Sequence, residues 1–469
     1  MKPYAVRSIA RRQRGAGALI VVLVLFFVIS LVAAYSSRNM IFEQKTSANQ
    51  YRSTQASEVT EAGIEWALAM LNGGKIDKDC LPNAAGISFR NRYLTIDTTT
   101  GAASGTIKPK TWFNAGFAQA YVIGCVGTGG PGWTCSCPTN ANPTLAVPAG
   151  TTNTIPAFVV TFAPGTTPGT VQITAQGCTM LDLNPGGCLD VLNNGLPQTG
   201  STSMRVIAAT LALKGAMATP PGAALTALGS VCAGNNALSF TNTEAGVNGT
   251  TIDAGGNVSP VFPPINAAPA VDCPGPMPVN NLVLTTVPGA PPGANSVVQN
   301  DFTLSQWLVQ GFPADVPQDR YFNWVFGLPR AVYQWQPTTI QITCPCDPVT
   351  LAAIAARNPG RILWLIGDAD LNAGAAVSIG TAASPVVMIV QGNITAPGST
   401  VTINGLVYSY GAPGWTWTVA GALQVRGAAI SEGSFAGGGT AGFVYDLGIL
   451  NTLRLESGTF VRVPGSWQS

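Results

Sequence analysis

From Ala16 to Tyr35 the chain runs for twenty residues without a charge, and that run limits what everything after it can be. It contains Leu19, Ile20, Val21, Val22, Leu23, Val24, Leu25, Phe26, Phe27, Val28, Ile29, Leu31 and Val32. At about 1.5 Å per residue, a helix of this length covers roughly 30 Å, the thickness of a bilayer's hydrocarbon core. Lys2, Arg7, Arg11, Arg12 and Arg14 precede it with no acid among them. Such a flank stays on the cytoplasmic side and sends everything after Arg38 outward. Those five bases also set the sign of the whole chain. It has 23 basic and 21 acidic residues, and without the leader 18 bases face 21 acids.

Three kinds of segment share this pattern. A secretory signal peptide has a shorter apolar core with a small-residue cleavage site after it, and a plain signal anchor needs nothing beyond the span itself. Here the helical pattern continues. From Arg38 to Leu71 there is no proline, and Gly63 is the only glycine. Ala48, Tyr51, Gln55, Val59, Ala62, Trp66 and Ala69 recur at steps of three and four, which predicts one face of a helix ending at Asn72-Gly73-Gly74. A single helix from Ala18 to Leu71 is about 80 Å long, apolar in its first half and amphipathic in its second.

A basic leader ending in Gly15, an apolar span directly after it and a helix that outlasts the span are the marks of a type IV prepilin. The string RRQRGAGALIVVLVLFFVISLVAA resembles the amino-terminal domain of the PilX family of minor pilins. The resemblance implies that prepilin peptidase cuts after Gly15 and that Ala16 becomes the methylated first residue. It also implies other pilin subunits and pilus assembly proteins as partners. One position departs from the common pilin pattern. Most pilins carry glutamate at the fifth mature position, which pairs with a neighbour's terminal amine, and here that residue is Ile20. PilX-like and K-type pseudopilin-like subunits share this loss, which suits a tip or initiation position.

Beyond Gly74 the composition shifts to Thr, Gly, Pro, Ala and Asn, with short β-prone runs at Tyr121-Val122-Ile123, Phe158 to Phe162 and Met204 to Ile207. An aromatic block follows from Asp301 to Trp335, including Trp307 and Phe312. Its phrase DRYFNWVFGLPR resembles an element of PilX-like proteins, and an ordinary core helix explains it equally well. Near the end there is an internal repeat. Val401 to Gly411 aligns with Leu423 to Gly433 at an offset of 22, matching Gly405 with Gly427 and Ser409 with Ser431. A fainter step of 24 relates Val377-Ser378-Ile379 to Val401-Thr402-Ile403, and Leu363-Trp364-Leu365 to Val387-Met388-Ile389. Periods of this size signal stacked coils, because one coil cannot bury its apolar face alone. The region from Pro359 to Tyr445 and the ending VRVPGSWQS also resemble the carboxy-terminal part of some PilX-like proteins.

The expected fold class is α+β: a long pilin-like helix, its first half in the membrane, then a β-rich, disulfide-bearing body ending in a short β-helix-like solenoid. The expected divisions are a leader at 1–15, the helix at 16–74, a Thr/Gly/Pro/Cys-rich β domain at 75–300, an aromatic connecting segment at 301–358 and the repeat domain at 359–469.

The chemistry is mostly defined by exclusion. The chain has no histidine, which removes Ser-His-Asp and Cys-His nucleophile systems and the HExxH zinc site. Charged residues make up only 9%, too thin for a nucleic-acid footprint. The ten cysteines Cys80, Cys125, Cys135, Cys137, Cys178, Cys188, Cys232, Cys273, Cys344 and Cys346 all fall on the outward side of the span, which predicts up to five disulfides. Cys178 with Cys188 is the expected local pair, and Cys135-Ser-Cys137 and Cys344-Pro-Cys346 are expected to reach distant partners. A zinc site built from those two CxC pairs competes with this reading, although CxxC spacing is commoner.

Asp368 and Asp370 fall on one side of a strand, where they serve either as a calcium or acid-base pair or, more commonly, as turn residues. Trp415, Trp417, Tyr408 and Tyr410 serve either to stack on a sugar or partner protein or to fill the solenoid. Neither a cofactor nor a metal is expected. The reading these features support is a non-enzymatic minor pilin, anchored in the inner membrane with its bulk in the periplasm. It then joins or primes a pilus and displays its body at the cell surface, where a host or surface ligand is a further expected partner. The alternatives are a membrane-anchored β-helical enzyme acting on polysaccharide, with Arg426 and Glu432 as its faint groove cluster, and a type II secretion pseudopilin.

Overall fold

The computed structural model describes residues 15–97, 106–114, 116–140, 143, 145–146, 155–179, 203–233, 238–259, 282–287, 296–305, 319–396, 400–410, 418–419, 422–437 and 440–468. One unbroken helix, Gly15–Leu71, takes the first 57 of these. It stops where the sequence turns to Asn72-Gly73-Gly74: the Asn72 N–H donates to Leu68 O at 3.2 Å and the Gly73 N–H to Met70 O at 3.0 Å.

The carboxy-terminal quarter of this helix lies against an antiparallel sheet. Its six strands run in the order Gly458–Arg462, Met204–Gly215, Thr170–Cys178, Ala157–Pro164, Ile123–Gly127 and Trp133–Ser136. The buried face of the helix is Ala56, Val59, Thr60, Gly63, Ile64, Ala67 and Leu71. This is the expected face turned by about one residue: Val59 stays buried, Thr60 joins it, and Ala56 replaces Gln55, Gly63 replaces Ala62 and Ala67 replaces Trp66. Tyr51 and Ala69 are exposed.

The reason for the turn is how closely the backbones approach. A Cβ on Gly177 would sit 2.4 Å from Thr60 Oγ1, and one on Gly63 would sit 3.0 Å from the Phe158 ring. The Thr60 hydroxyl donates to Ala56 O at 2.6 Å and reaches Arg205 O at 3.1 Å. Small residues thus face the sheet, and Trp66 packs beside it, its ring centroid 5.6 Å from those of Phe89 and Phe158.

The two ends of the chain meet at this sheet. Asn72 brackets Phe460, its Nδ2 donating to Phe460 O at 3.0 Å and its Oδ1 accepting from the Phe460 N–H at 2.8 Å. Arg90, 6% exposed, donates to Leu71 O at 3.3 Å, Glu456 O at 2.8 Å and Gly458 O at 2.6 Å. Three carbonyls and the Phe460 face, 4.9 Å away, surround this guanidinium. Burial, with Arg361 nearby, lowers its pKa only to about 10, so it stays charged.

Between Gly215 and Gly458, two adjacent paired residues, the chain leaves the antiparallel sheet and builds a parallel stack. Val401–Tyr410 pairs with Leu423–Ser431 at the offset of the repeat, Gly405 opposite Gly427 and Ser409 opposite Ser431. Val377 pairs with Val401 as the fainter step requires. The other faint match slips by one residue: Leu363 lies opposite Met388, not Val387. Strands from both sides of residue 300 enter the stack, so that expected boundary does not separate two sheets. Leu225–Ala227 pairs in parallel with Leu423–Ser431, Val231–Ala233 with Phe435–Gly437, and Leu238–Thr241 with Gly442–Tyr445. The final strand, Gly458–Arg462, likewise belongs to the antiparallel sheet and not to the repeat.

The stack core is continuous, with Trp364, Phe240, Phe435, Phe443 and Tyr408 fully buried and Phe240 stacked on Phe443 at 5.2 Å. Helices Pro348–Arg357 and Leu447–Leu455 flank it, each begun by an aspartate side chain capping a backbone N–H: Asp347 to Thr350 at 2.9 Å and Asp446 to Ile449 at 3.0 Å.

Candidate functional site

The feature of the molecule that nothing in it covers is the first half of the long helix. Every large apolar side chain from Leu19 to Val32 is at least half exposed, from 51% at Val28 to 70% at Phe26. Among the described residues this is the one helix long and apolar enough to cross a membrane. Thirteen Leu, Ile, Val and Phe residues there favour a bilayer by about 4 to 8 kcal/mol in all. The expected processing pair, Gly15 and Ala16, lies in the first turn; residues 1–14 lie outside the described residues.

Between the span and the body, Ser36 to Gln55 form a rod. All are exposed except Arg52 and Gln55, which are half-buried. Twenty residues of helix hold the body about 30 Å from the end of the span. Ile20 is 63% exposed and brings no carboxylate into the apolar surface.

Three disulfides are formed among the described cysteines. Cys80–Cys137 joins the segment after the helix to the far side of the antiparallel sheet, and Cys125–Cys135 crosses a hairpin. The third, Cys344–Cys346, closes on itself over two residues, which corrects the expectation of distant partners for that pair. Cys135 is also local, so only Cys137 of the first CxC pair reaches far. With both CxC pairs oxidised, the zinc reading fails, and among the described residues no group of three or more Cys, Asp or Glu gathers as a metal site. Cys178 and Cys232 are disulfide-bonded as well. Cys188 and Cys273 lie outside the described residues, as do Trp307, Phe312, Trp415 and Trp417.

Asp368 directly precedes the short strand Ala369–Asp370, and Asp370 ends it. Asp368 Oδ1 accepts from the Asn393 N–H at 2.7 Å, tying one corner of the stack to the next, and Asp370 Oδ1 accepts locally from the Asn372 N–H at 3.1 Å. Arg426 is exposed and stands apart from Glu432. The partner of Glu432 is Arg330, which sequence reasoning missed. Its Nη2 lies 2.6 and 2.7 Å from the two Glu432 oxygens, and its Nε lies 2.9 Å from Asp319 Oδ1. The guanidinium sits 4.3 Å over the Tyr410 ring, and the Tyr408 hydroxyl donates to Glu432. Burial is the largest influence on Glu432 and pushes its pKa up to about 7, with Arg330 opposing. One guanidinium is shared by two carboxylates, so the cluster works as a clamp between the aromatic block and the stack. Helix Arg320–Phe326 within that block buries Tyr321, Phe322, Val325 and Phe326, an ordinary core role.

Comparison with known proteins places the amino-terminal helix. Residues 14–65 match the family described as PilX N-terminal. The long helix is PilX-like. The match covers the apolar span, the rod and the first turns of the docked quarter, and it ends before the body. A solved structure, the competence-associated pilin ComZ from Thermus thermophilus, aligns over 89% of this chain and 97% of its own at 11% identity. Its TM-score of 0.19 is too low to carry an argument about the body. Comparison with curated proteins finds no match.

Proposed function

We propose that this chain is a minor subunit of a type IV pilus. The observation that carries the proposal is the division of one PilX-like helix into an uncovered apolar half and a half docked on a disulfide-bearing β body. The apolar half first anchors in the inner membrane and then packs among the helices of other pilin subunits. The body, held clear of the span by the rod, is displayed outside for assembly priming or for contact with a surface ligand. Ile20 adds no buried carboxylate that needs a neighbour's amine, which favours a position where one neighbour is missing. Prepilin peptidase is the processing partner, cutting between Gly15 and Ala16.

Mass spectrometry of the mature amino terminus tests this reading. Methylated Ala16 is the expected result, and membrane-bound protein that retains Met1 overturns it. Recovery of the protein in the sheared pilus fraction separates a filament subunit from an assembly factor that stays behind.

A further inference from the structure

The three disulfides whose partners are both described differ in how much of the fold depends on them. Cys80–Cys137 and Cys125–Cys135 close 57 and 10 positions of chain, and Cys344–Cys346 closes 2. The stabilisation a disulfide gives rises with the length of chain it closes, and by linkage the fold resists its reduction to the same extent. Opening Cys344–Cys346 therefore works against the least of the fold.

The backbone holds both cysteines in place without the bond between them. They turn the corner from the strand Thr339–Thr343 into the helix Pro348–Arg357. The Cys344 N–H donates to Ile366 O at 3.0 Å, Cys346 forms a parallel bridge with Ala369, and the Asp347 side chain caps the helix at the Thr350 N–H. Pro345 between them has one backbone angle fixed by its ring. Two thiols produced at this corner stay beside each other, placed to close again.

The two sulfurs differ in surroundings. Cys344 is half-buried between exposed Thr343 and exposed Pro345. Its neighbour Gly367 has no side chain to cover it, since a Cβ there would sit 3.5 Å from Cys344 Cβ. Cys346 is 5% exposed and directly precedes Asp347, the N-cap of a helix of 10 residues, whose N-terminus favours negative charge. Cys135 is half-buried as well, but its partner Cys125 is fully buried within a strand of the antiparallel sheet, where an apolar core disfavours a thiolate. Cys80 and Cys137 are both buried.

We propose that Cys344–Cys346 is a thiol–disulfide exchange site that oxidises an external dithiol, with Cys344 as the sulfur attacked and Cys346 as the sulfur that leaves. A thiolate of the dithiol attacks Cys344 Sγ. One S–S bond forms to the incoming sulfur while the Cys344–Cys346 bond breaks, and its electron pair departs on Cys346 Sγ, which then takes a proton from solvent. The second thiol of the dithiol, after losing its proton, attacks its own partner sulfur in this mixed disulfide and releases Cys344 as a thiolate. The dithiol has lost two electrons and become a disulfide, and the pair at the corner of the stack has become two thiols. A low-energy opening, a reachable sulfur and a leaving group beside a helix start are what such an exchange requires.

Timed reduction of the full-length protein in detergent with dithiothreitol, quenched by alkylation and read by peptide mass spectrometry, tests the site. Cys344 and Cys346 should be alkylated at least about tenfold sooner than Cys125, Cys135, Cys80 and Cys137. Hydrogen-exchange protection along the neighbouring strand Ile362–Ile366 should persist after they open. With reduced glutathione in place of dithiothreitol, the trapped adduct should sit on Cys344. Opening no sooner than Cys125–Cys135, or glutathione found on Cys346, overturns the proposal. Loss of protection at Ile362–Ile366 on reduction also overturns it, because the pair is then a staple of the stack.

Discussion

Replacing Arg330 by Met removes a guanidinium and keeps most of its volume. The pair it breaks is well enclosed: side-chain exposure is 16% for Arg330 and 14% for Glu432. Both Glu432 oxygens, one Asp319 oxygen and the Tyr410 face lose the guanidinium at once, and Glu432 keeps only the Tyr408 hydroxyl on Oε1. Stranding one member of a buried pair costs about 3 to 5 kcal/mol. Glu432 has an escape that lowers this cost. Its pKa is already raised to about 7, and without Arg330 it rises further, so the carboxyl protonates where the solution allows. The loss should therefore approach about 4 kcal/mol at pH 8 and shrink toward pH 5, where a neutral Glu432 needs no counter-ion. The double substitution Arg330→Met/Glu432→Gln should recover about half of the loss at pH 8. Urea unfolding of the full-length protein in detergent reads this through tryptophan fluorescence, since Trp364 is fully buried with its ring 5.8 Å from Tyr410. A loss below about 1 kcal/mol at pH 8, or strict additivity in the double variant, refutes the clamp and makes the pair an ordinary surface contact.

Glu432 also sets the sign of a pH dependence in the unaltered protein. Its folded pKa of about 7 lies above the ordinary 4.5, so its contribution is complete below 4.5 and is lost as pH rises through 7. Glu432→Gln should flatten that slope in unfolding midpoints taken across the window. Gly405 has φ +152°, and a Cβ there would meet Val386 O at 1.8 Å. Gly405→Ala should cost about 3 kcal/mol or more and expose the stack to protease, whereas a wild-type unfolding curve would show that the rungs tolerate a side chain. Gly177→Val should push the helix off the sheet and raise hydrogen exchange at Ala56 to Leu71; unchanged protection there would mean the close approach at Thr60 is dispensable.

What the sequence made legible was whatever is written locally. The membrane-length run, the rod and the helix stop are all readable from consecutive residues. The repeat register is readable at Gly405 and Gly427 because both rungs need a glycine at positive φ, +152° and +128°, and that requirement pins the alignment. No glycine pins Leu363, so matching apolar residues alone left it one place off. The helix face was misjudged for a different reason. Counting apolar side chains finds Trp66 and Tyr51, but the sheet selects Thr60 and Gly63, whose small size lets two backbones meet. Arg330 and Glu432 are 102 residues apart, and nothing near either one names the other. The same holds for Arg90, whose targets near Glu456 lie 366 residues on.

The exit and return of the parallel stack beside each other, at Gly215 and Gly458, determine how tension travels if its surface is held and the helix is pulled. Both connecting chains are drawn from the same end of their shared ladder, so that ladder is peeled apart, not sheared, and peeled ladders yield one bond at a time. Arg90 sits at the point where the peel would begin, gripping Glu456 and Gly458 on the returning chain and Leu71 on the helix. The pull is therefore handed from the stack to the end of the helix through a buried guanidinium and, two residues further along the returning strand, through the Asn72 bracket on Phe460.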